Sequence, residues 1–454
     1  MPVLKPPIKV SGPPKLGSQP ALQDLPQAAD DLWRRLFIRG VPDGLEQLHG
    51  YRPGGYHPIH LQDELHDGRY RVIHKLGHGG YSTVWLCRDQ SAESPSYVAI
   101  KVLVASHSQR HSPELLLTAR LRAEGISKAP YGQHLCLPLD HFESSSPNGM
   151  HTCLVYPVLG QLSRDSMEHL AREYGAARAV REVARQAVGA LAVLHDRDIC
   201  HGDFRPSNIL LRLHGLDRLE EADVLSMTGQ PETTDINIRK DNHPTPNIPF
   251  APRYLVYPLD FDGVGLELHA QVIDLGQSFE TTQGQPRTSF GIPANYGAPE
   301  VILDTVGSKS MDLWSLGCTL YEMRTGQTLF DIFQLGRLYK GNYVDEISSL
   351  LGPPPRSWLG YNDPGDGFPV GKPSSQPHGV VDRHARTRRL IKDRLAEIHD
   401  CAGATCTHPK FQVISEPEAT AFADLLERLL RYQPGQRLSA QKVLGHTWFH
   451  ADYE

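Results

Sequence analysis

The sequence predicts an α+β protein in which a strand-rich first part is followed by a longer, mostly helical part. At 454 residues the chain exceeds one compact core, so two or more packed units are expected. Residues 69–75 alternate in polarity as a strand does, and residues 98–101 form a largely β-branched run. Residues 162–195 instead predict two helices. The second helix carries an apolar stripe: Val180, Val183, Ala184, Ala187, Val188, Leu191 and Leu194.

The composition is typical of a soluble globular protein. The formal net charge of −6 argues against nucleic acid as a direct partner. The 7 cysteines are scattered and odd in number, so a reducing compartment is expected. No apolar run reaches the roughly 18–20 residues of a membrane span, and the N-terminus lacks the apolar core of a secretory signal. We therefore expect a cytoplasmic and/or nuclear monomer that makes no membrane contact.

The stretch 200–211 predicts phosphoryl-transfer chemistry. Asp203 can take the proton of an attacking hydroxyl, and Asn208 can hold a metal ion on bound phosphates. Arg205, the cation between them, can neutralise charge on the group being transferred. The spacing resembles the catalytic loop of protein kinases. Small-molecule kinases of the aminoglycoside and choline type share it, and Gly202 is closer to their pattern.

A glycine-rich hairpin is predicted after the first strand. Gly77 and Gly79 let the backbone approach phosphates, and its N–H groups can face their oxygens. Lys101, at the end of the next strand, is expected to bind the α- and β-phosphates. Glu114 is the predicted carboxylate partner of this lysine, and Glu124 is the alternative if the helix register differs. The predicted nucleotide-binding residues of this part are Leu76, Gly77, His78, Gly79, Gly80, Tyr81, Ser82, Thr83, Val84 and Ala99.

Residues 156–159 have the position of the hinge between kinase lobes, after an Asn148-Gly149 turn. Pro157 has no N–H, but this position need only offer its carbonyl to adenine. Leu159 can supply an N–H and a second carbonyl. Tyr156 is expected to close the back of the adenine pocket.

Motifs after the catalytic loop distinguish the two kinds of kinase. Asp274 follows an apolar strand and is predicted to bind Mg²⁺. Residues 291–300 resemble the end of a protein-kinase activation segment, which the small-molecule kinases lack. Asp312 matches the buried helix start that anchors the catalytic loop. Arg437 has the position of the arginine that pairs with Glu300 in that family.

In order from Gly77 to Arg437, these motifs cover about four-fifths of the chain. The chain resembles the SR-protein kinase family, in the group of the cyclin-dependent and MAP kinases, and is most similar to fungal members. The features that indicate this are Gly54-Gly55-Tyr56-His57 before the first strand, residues 82–86 closing the glycine loop, Asp274-Leu275-Gly276, and an insertion before Asp274.

The resemblance implies a two-lobed protein kinase fold. A small antiparallel β lobe with one main helix (51–160) would follow an extension (1–50), and a larger, mostly helical lobe (161–454) would come next. It also implies a serine/threonine protein kinase that uses ATP and Mg²⁺. Its catalytic residues would be Asp203, Arg205 and Lys101, and its metal ligands Asn208 and Asp274.

The resemblance further implies protein substrates, which could be rich in Arg/Ser repeats. Asp345 and Glu346 lie in the region of the acidic groove that binds such repeats, but a solvated helix start is the favoured interpretation.

Four departures separate this chain from the common kinase pattern. Gly202 replaces the arginine that would pair with a phosphorylated activation segment, which implies that such phosphorylation is not required. Arg205 replaces a lysine, keeping the charge with a different reach. Gly297 replaces an arginine before Ala-Pro-Glu, and Ser82 replaces the third loop glycine. Gly202, Arg205 and Ser82 leave a pseudokinase scaffold that binds ATP without turnover as an alternative.

Three stretches lie outside the motifs. The insertion, 212–265, is predicted to contain a short helix at 216–225, a proline-rich mobile loop at 229–252 and a strand at 253–257. Residues 30–37 can form an amphipathic helix, packed on the domain or docking a partner. The His399–His408 cluster has zinc-capable residue types (His399, Cys401, Cys406 and His408), but their spacing favours an ordinary loop.

Overall fold

A computed structural model describes residues 44–108, 112–236, 250–259, 261, 265–282, 287, 289–304, 306–332, 340–355, 391–400 and 414–453. The predicted helix at 30–37 and the rest of the extension up to residue 43 lie outside these residues. Residues 237–249 of the proline-rich loop also lie outside them, as do the side chains of the His399–His408 cluster.

An antiparallel sheet forms the first lobe. Its strands are β1 (Glu64–Leu65), β2 (Tyr70–Gly79), β3 (Ser82–Asp89), β4 (Tyr97–Leu103), β5 (Asp140–Ser146) and β6 (Gly149–Pro157). The spatial order is β1-β2-β3-β4-β6-β5. Ile100 lies opposite Trp85 on one side and Val155 on the other, and all three are buried. Such cross-strand apolar neighbours stabilise the sheet, so the strands predicted at 69–75 and 98–101 are confirmed.

Helix α1 (Pro113–Ala123) connects this sheet to the second lobe. Pro113 suits the first helical position because its ring presets the backbone angle and it has no N–H to leave unpaired. Leu117 and Leu121 are buried in the large core of the second lobe. With those side chains fixed, Glu114 in the first turn is buried beside the sheet.

Helices make up most of the second lobe. They are α2 (Arg164–Tyr174), α3 (Ala176–His195), α4 (Glu221–Thr228, in the insertion), α5 (Pro299–Asp304), α6 (Lys309–Thr325), α7 (Lys340–Leu351), α8 (Ile391–Asp400), α9 (Glu416–Leu429) and α10 (Ala440–Leu444). The predicted apolar stripe of α3 is buried along its whole length, so that helix is confirmed. Helix α6 is buried on nearly every side and forms the centre of this lobe.

The short strands described outside the first sheet are β7 (Leu159–Gly160), β8 (Ile199–Cys200), β9 (Ile209–Leu213), β10 (Thr233–Asp235), β11 (Tyr254–Val256), β12 (Leu266–Val272) and β13 (Phe279–Glu280). β10 and β11 pair with each other in the insertion, whereas the other short strands surround the catalytic loop. The loop lies between β8 and β9. Because β12 pairs with β9, with Val272 opposite Ile209, Asp274 leaves the sheet beside that loop. The N–H of Ile273 donates to the carbonyl of Asn208 at 3.0 Å, which ties the two segments together.

The insertion folds against the first lobe. Arg71 of β2 forms an ion pair with Glu221 at the start of α4, and its Nη1 lies 3.1 Å from Oε1 of Glu221. The N–H of Tyr97 donates to the carboxylate of Asp217 at 3.0 Å. Insertion residues Leu216, Val224, Leu259 and Phe261 share one apolar cluster with Ile73, Leu86 and Tyr97 of the sheet.

Two predictions about the insertion were wrong in detail. The helix predicted at 216–225 is divided, because contacts of Tyr97 hold the chain extended between a 3₁₀ turn at Leu216–Arg218 and α4. Residues 233–235 fell in the predicted mobile loop but form β10, paired with β11. Threonine favours strands, and the backbone N–H and C=O groups of β10 find partners in β11.

Among the described residues, no helix is both long and apolar enough to cross a membrane.

A buried ion pair secures the end of the activation segment. Arg437 donates to both oxygens of Glu300, at 2.5 Å and 2.7 Å. Its guanidinium group lies 5.2 Å from the ring centre of Trp314. Arg437 is therefore the partner of Glu300, as expected from the sequence.

We predict that Arg437→Met lowers the free energy of unfolding by about 3–5 kcal/mol, because it leaves a buried carboxylate without its partner. Urea unfolding measures the loss. Arg428→Met is the control, since Arg428 pairs with Asp424 at the surface, where both side chains are about half exposed. It should lose less than about 1 kcal/mol. Equal losses in the two variants would contradict this prediction.

Candidate active site

A partly buried ion-pair network joins the two lobes. Nζ of Lys101, on β4, lies 3.1 Å from Oε2 of Glu114 and 2.8 Å from Oδ1 of Asp274. Burial opposes the charge of Lys101, but Asp274 and then Glu114 raise the pKa of its ammonium well above the usual value. Burial likewise opposes the charge of Asp274, but Lys101 holds the pKa of that carboxyl below its usual value. Lys101 and Asp274 therefore both stay ionised and hold the lobes in one arrangement.

Glu114, rather than the alternative Glu124, holds Lys101. Glu124 follows the last turn of α1 and pairs with Arg120 at 2.8 Å. The hydroxyl of Tyr156 donates to Oε1 of Glu114 at 2.6 Å, a contact that was not predicted. Burial, followed by the charge of Glu114, raises the pKa of Tyr156 well above its usual value, so its hydroxyl stays protonated as a donor. The residue expected to close the adenine pocket thus also fixes the lysine's partner.

The structure brings Asp203, Arg205 and Asn208 together. Nδ2 of Asn208 donates to the backbone carbonyl of Asp203 at 2.7 Å and to Oδ2 at 3.0 Å. Nε of Arg205 donates to Oδ2 at 3.3 Å. It also lies 3.2 Å from Oδ1, but in a direction that makes no hydrogen bond. Burial raises the pKa of Asp203, and the charge of Arg205 opposes that rise. A buried carboxylate with one oxygen uncommitted is suited to accept a proton.

Asp312 anchors the catalytic loop from below. Its carboxylate accepts from the N–H groups of His201 and Gly202, at 2.7 Å and 2.9 Å. Nε2 of His195 lies 2.9 Å from Oδ2. Burial would raise the pKa of Asp312, but the hydrogen bond and charge of His195 lower it below the usual value. The buried carboxylate therefore stays charged and fixes the loop backbone next to Asp203.

The glycine-rich hairpin has no side-chain packing at its glycines. A Cβ built on Gly77, Gly79 or Gly80 would meet no atom within 4 Å. The backbone there borders open space, as a phosphate cradle requires. Tyr81 at the tip is about half exposed, and its ring contacts that of His107 in a tilted arrangement, with 4.5 Å between the ring centres.

An apolar cluster forms the wall of the cleft beneath this hairpin. The predicted members are Leu76, Val84, Ala99, Tyr156 and Leu159, and those that were not predicted include Cys136, Leu210 and Ile273. Pro157 ends β6 next to this wall, opposite Val98. The side chain of Thr83 lies on the other face of β3, where its hydroxyl accepts from Nε1 of Trp85 at 3.0 Å. Only the backbone of Thr83 can therefore serve a nucleotide. Ser82 is likewise buried at the strand start, and His78 contacts the carbonyl of Gly44.

A sequence model of the protein kinase domain matches residues 70–221 and 264–449. The chain belongs to the protein kinase family. The two-lobed kinase fold predicted from the sequence is confirmed. Among residues 222–263, which the family model leaves unmatched, the described side chains of Val224, Leu255, Leu259 and Phe261 pack on the first lobe of this kinase.

Similar proteins include kinases of the predicted type. Protein kinase dsk1 of Schizosaccharomyces pombe is 25% identical over 91% of this chain and 86% of its own length. Serine/threonine-protein kinase SRPK of Physarum polycephalum is 28% identical over 89% of this chain and 91% of its own length. The crystal structure of a kinase domain matches with a TM-score of 0.52 and 18% identity, over 87% of this chain and 99% of the other. The predicted protein serine/threonine kinase is confirmed, and its relatives include a kinase named for the SR-protein kinase type.

The activation segment of this kinase is tied to itself near the catalytic loop. Nη2 of Arg287 donates to Oε1 of Gln277 at 2.6 Å, and Nη1 donates to the carbonyl of the same residue. The guanidinium group also lies 5.5 Å from the ring centre of Phe279. Gly202 has a φ of +81°, and a Cβ there would collide with the carbonyl of Gln277. The position where other kinases carry an arginine is therefore closed to a side chain.

Two carboxylates of the second lobe, Glu346 and Glu322, make different contacts. Glu346 accepts from the N–H of Asp331 at 3.3 Å and lies 3.9 Å from Arg394, so it is engaged within the lobe. Glu322, near the end of α6, accepts from the hydroxyl of Tyr296 at 2.5 Å. Burial raises the pKa of Glu322. The hydrogen bond from Tyr296 and the nearby charge of Arg205 oppose this rise. Glu322 was not predicted as a site residue.

We predict that Gly202→Ala lowers both stability and kcat, because a side chain must adopt a left-handed backbone angle and displace the Gln277 carbonyl. The strain of such a backbone is on the order of 1–3 kcal/mol, before the collision is added. Urea unfolding and peptide phosphorylation measure the two effects.

Gly215→Ala is the matched control, since Gly215 has a φ of +79° but open space at the Cβ position. This variant should lose only the stability that corresponds to the backbone strain, and its kcat should equal that of the wild type. If both variants lose equal stability and both keep full activity, the contact with Gln277 has no catalytic importance.

Proposed function

We propose that this kinase transfers the γ-phosphoryl group of ATP to serine or threonine hydroxyls of proteins, with Asp203 as the general base. The observation that carries this proposal is the meeting of Lys101, Glu114 and Asp274 at the lobe interface beside the paired Asp203 and Asn208. Phosphoryl transfer needs positioning and charge stabilisation rather than covalent chemistry, and this set supplies both.

The residues present fit ATP with Mg²⁺. Mg²⁺ prefers oxygen ligands, and Asp274 offers an ionised carboxylate. Because the amide nitrogen of Asn208 donates to Asp203, its amide oxygen is left to serve as the second ligand. When bound, the metal would neutralise charge on the phosphates. Lys101 would then hold the α- and β-phosphates under the open glycine hairpin.

The remaining roles follow from chemistry and burial. The apolar wall that includes Ala99 suits the adenine ring, with the carbonyl of Pro157 and the N–H of Leu159 as its polar partners. Asp203 accepts the substrate hydroxyl proton on its uncommitted oxygen. Arg205 balances the charge of the phosphoryl group in transit.

We predict that Asp203→Asn lowers kcat by about 10²–10⁴-fold while Mg-ATP still binds, because general-base catalysis is lost and the phosphate and metal ligands remain. Peptide phosphorylation and calorimetric titration with Mg-ATP measure the two properties. Undiminished turnover in this variant would contradict the assignment of the base. A wild-type protein that binds Mg-ATP but phosphorylates no peptide would favour the scaffold alternative.

We also propose that the protein substrates are rich in Arg/Ser repeats. This substrate class is supported by Glu322, a partly buried carboxylate close to Arg205 of the catalytic loop, and by the similarity to SR-protein kinases. A substrate arginine placed there would meet a fixed, hydrogen-bonded carboxylate, which is favourable in a site of low polarity.

We predict that the wild type phosphorylates Arg/Ser-repeat peptides in preference to Ser-Pro and acidic peptides on an array. Glu322→Gln should raise KM for the repeats about tenfold, the scale of one charge-assisted hydrogen bond. Glu346→Gln is the control and should leave KM unchanged, because Glu346 is engaged by Asp331 and Arg394. A larger KM change for Glu346→Gln than for Glu322→Gln would overturn the role given to Glu322.

A further inference from the structure

A segment before the family-matched region packs on the glycine-rich hairpin. This segment, residues 44–57, is called the clasp below. Its side chains Leu45, Leu48, Tyr51 and Tyr56 are buried in one cluster with Val104, which follows β4, and with Leu255 of the insertion. The clasp is thus folded onto the first lobe, and its contacts with β2 can be followed one by one.

The strongest contact is a buried ion pair immediately before the hairpin. Lys75 of β2 donates to Glu46 of the clasp, and both side chains are buried, at 0% and 1% exposure. The hydroxyl of Tyr51 donates to the other carboxylate oxygen at 2.6 Å. Nζ of Lys75 also lies 5.4 Å from the ring centre of Trp85 on β3. A charge buried this completely stays in place only with its partner.

Two weaker contacts reach the hairpin itself. The hydroxyl of Tyr56 donates to the carbonyl of Gly79 at 2.7 Å. Nε2 of His78 lies 3.0 Å from the carbonyl of Gly44. The clasp therefore contacts the hairpin strand before, within and at the end of its glycine stretch.

The insertion holds the same residue from another side. The N–H of Leu259 donates to the backbone carbonyl of Lys75 at 2.7 Å. Leu76, next along the strand, contacts the apolar cluster to which Leu259 belongs. Both Glu46 and Leu259 lie outside the stretches that match the protein kinase domain, 70–221 and 264–449.

We infer that the clasp and the insertion together position the nucleotide hairpin, with Glu46 and Tyr56 as positioning residues for ATP. The hairpin has no packing at its glycines, so elements that hold Lys75 and Gly79 set where its N–H groups lie. Holding the loop in its binding position reduces the ordering cost when the nucleotide binds. This inference rests on the proposed function, since it assigns the hairpin to ATP.

The test measures affinity for the Mg²⁺ complex of a non-hydrolysable ATP analogue by calorimetry, with the full chain well below its melting temperature. Glu46→Gln should raise Kd about tenfold, because the charge that holds Lys75 is removed. Tyr56→Phe removes one hydroxyl from the hairpin and should raise Kd about threefold, within the range of one hydrogen bond. If Glu46→Gln does not fold, Tyr56→Phe decides the question.

Glu418→Gln is the matched control. Glu418 forms an equally buried pair with Arg324 in the second lobe, away from the hairpin. It should lower the melting temperature and leave Kd within about twofold of the wild type. The inference is overturned if Tyr56→Phe and any folded Glu46→Gln leave Kd unchanged, or if Glu418→Gln raises Kd as much as they do. Because affinity is measured without turnover, a wild type that binds but does not phosphorylate contradicts only the proposed function.

Discussion

The ammonium group of Lys101 is the charge on which the arrangement of the two lobes depends. It lies between the carboxylate of Glu114 on α1 and the carboxylate of Asp274, just after the end of β12. Without it, Glu114 and Asp274 would be two negative charges close together in a partly buried site, which is unfavourable for both. The apolar contacts of α1 and the hydroxyl of Tyr156 hold Glu114 in place. A triphosphate bound here would meet a cation whose position is already set.

Buried charges also hold the groups around this centre. Asp312 binds two N–H groups of the catalytic loop, and Arg437 binds Glu300 at the end of the activation segment. The pair of Glu46 and Lys75 lies on the other side of the cleft. Each of these pairs is costly to break because its partner would remain buried and unpaired. Buried charged groups with fixed partners therefore stabilise the second-lobe side of the cleft and, on our inference, also the hairpin side.

Much of this could be predicted from the sequence, because the motifs use local spacing. Asp203 and Asn208 are five residues apart, so the loop that contains them also brings them together. The apolar stripe of α3 follows helical periodicity, and it is buried as predicted. Partners distant in sequence, such as Arg437 with Glu300, could be predicted only through the resemblance to a known family.

The other contacts of the site correspond to no motif or periodicity in the sequence. Tyr156 with Glu114, Arg287 with Gln277, and Glu46 with Lys75 join ordinary residues whose meeting depends on the packing of whole elements. The strand β10 was mistaken for loop because its proline-rich surroundings outweighed three residues that pair with β11. Tertiary pairing determines such short strands more than intrinsic propensity does.

The most direct test of the central claim is the dependence of ATP affinity on Mg²⁺ in the wild type and in Asp274→Asn. If Asp274 and Lys101 share one nucleotide and its metal, ATP binds the wild type more tightly with Mg²⁺ than with chelator. The variant should bind ATP with an affinity that hardly responds to the metal. A wild-type affinity that is the same with Mg²⁺ and with chelator would contradict the account.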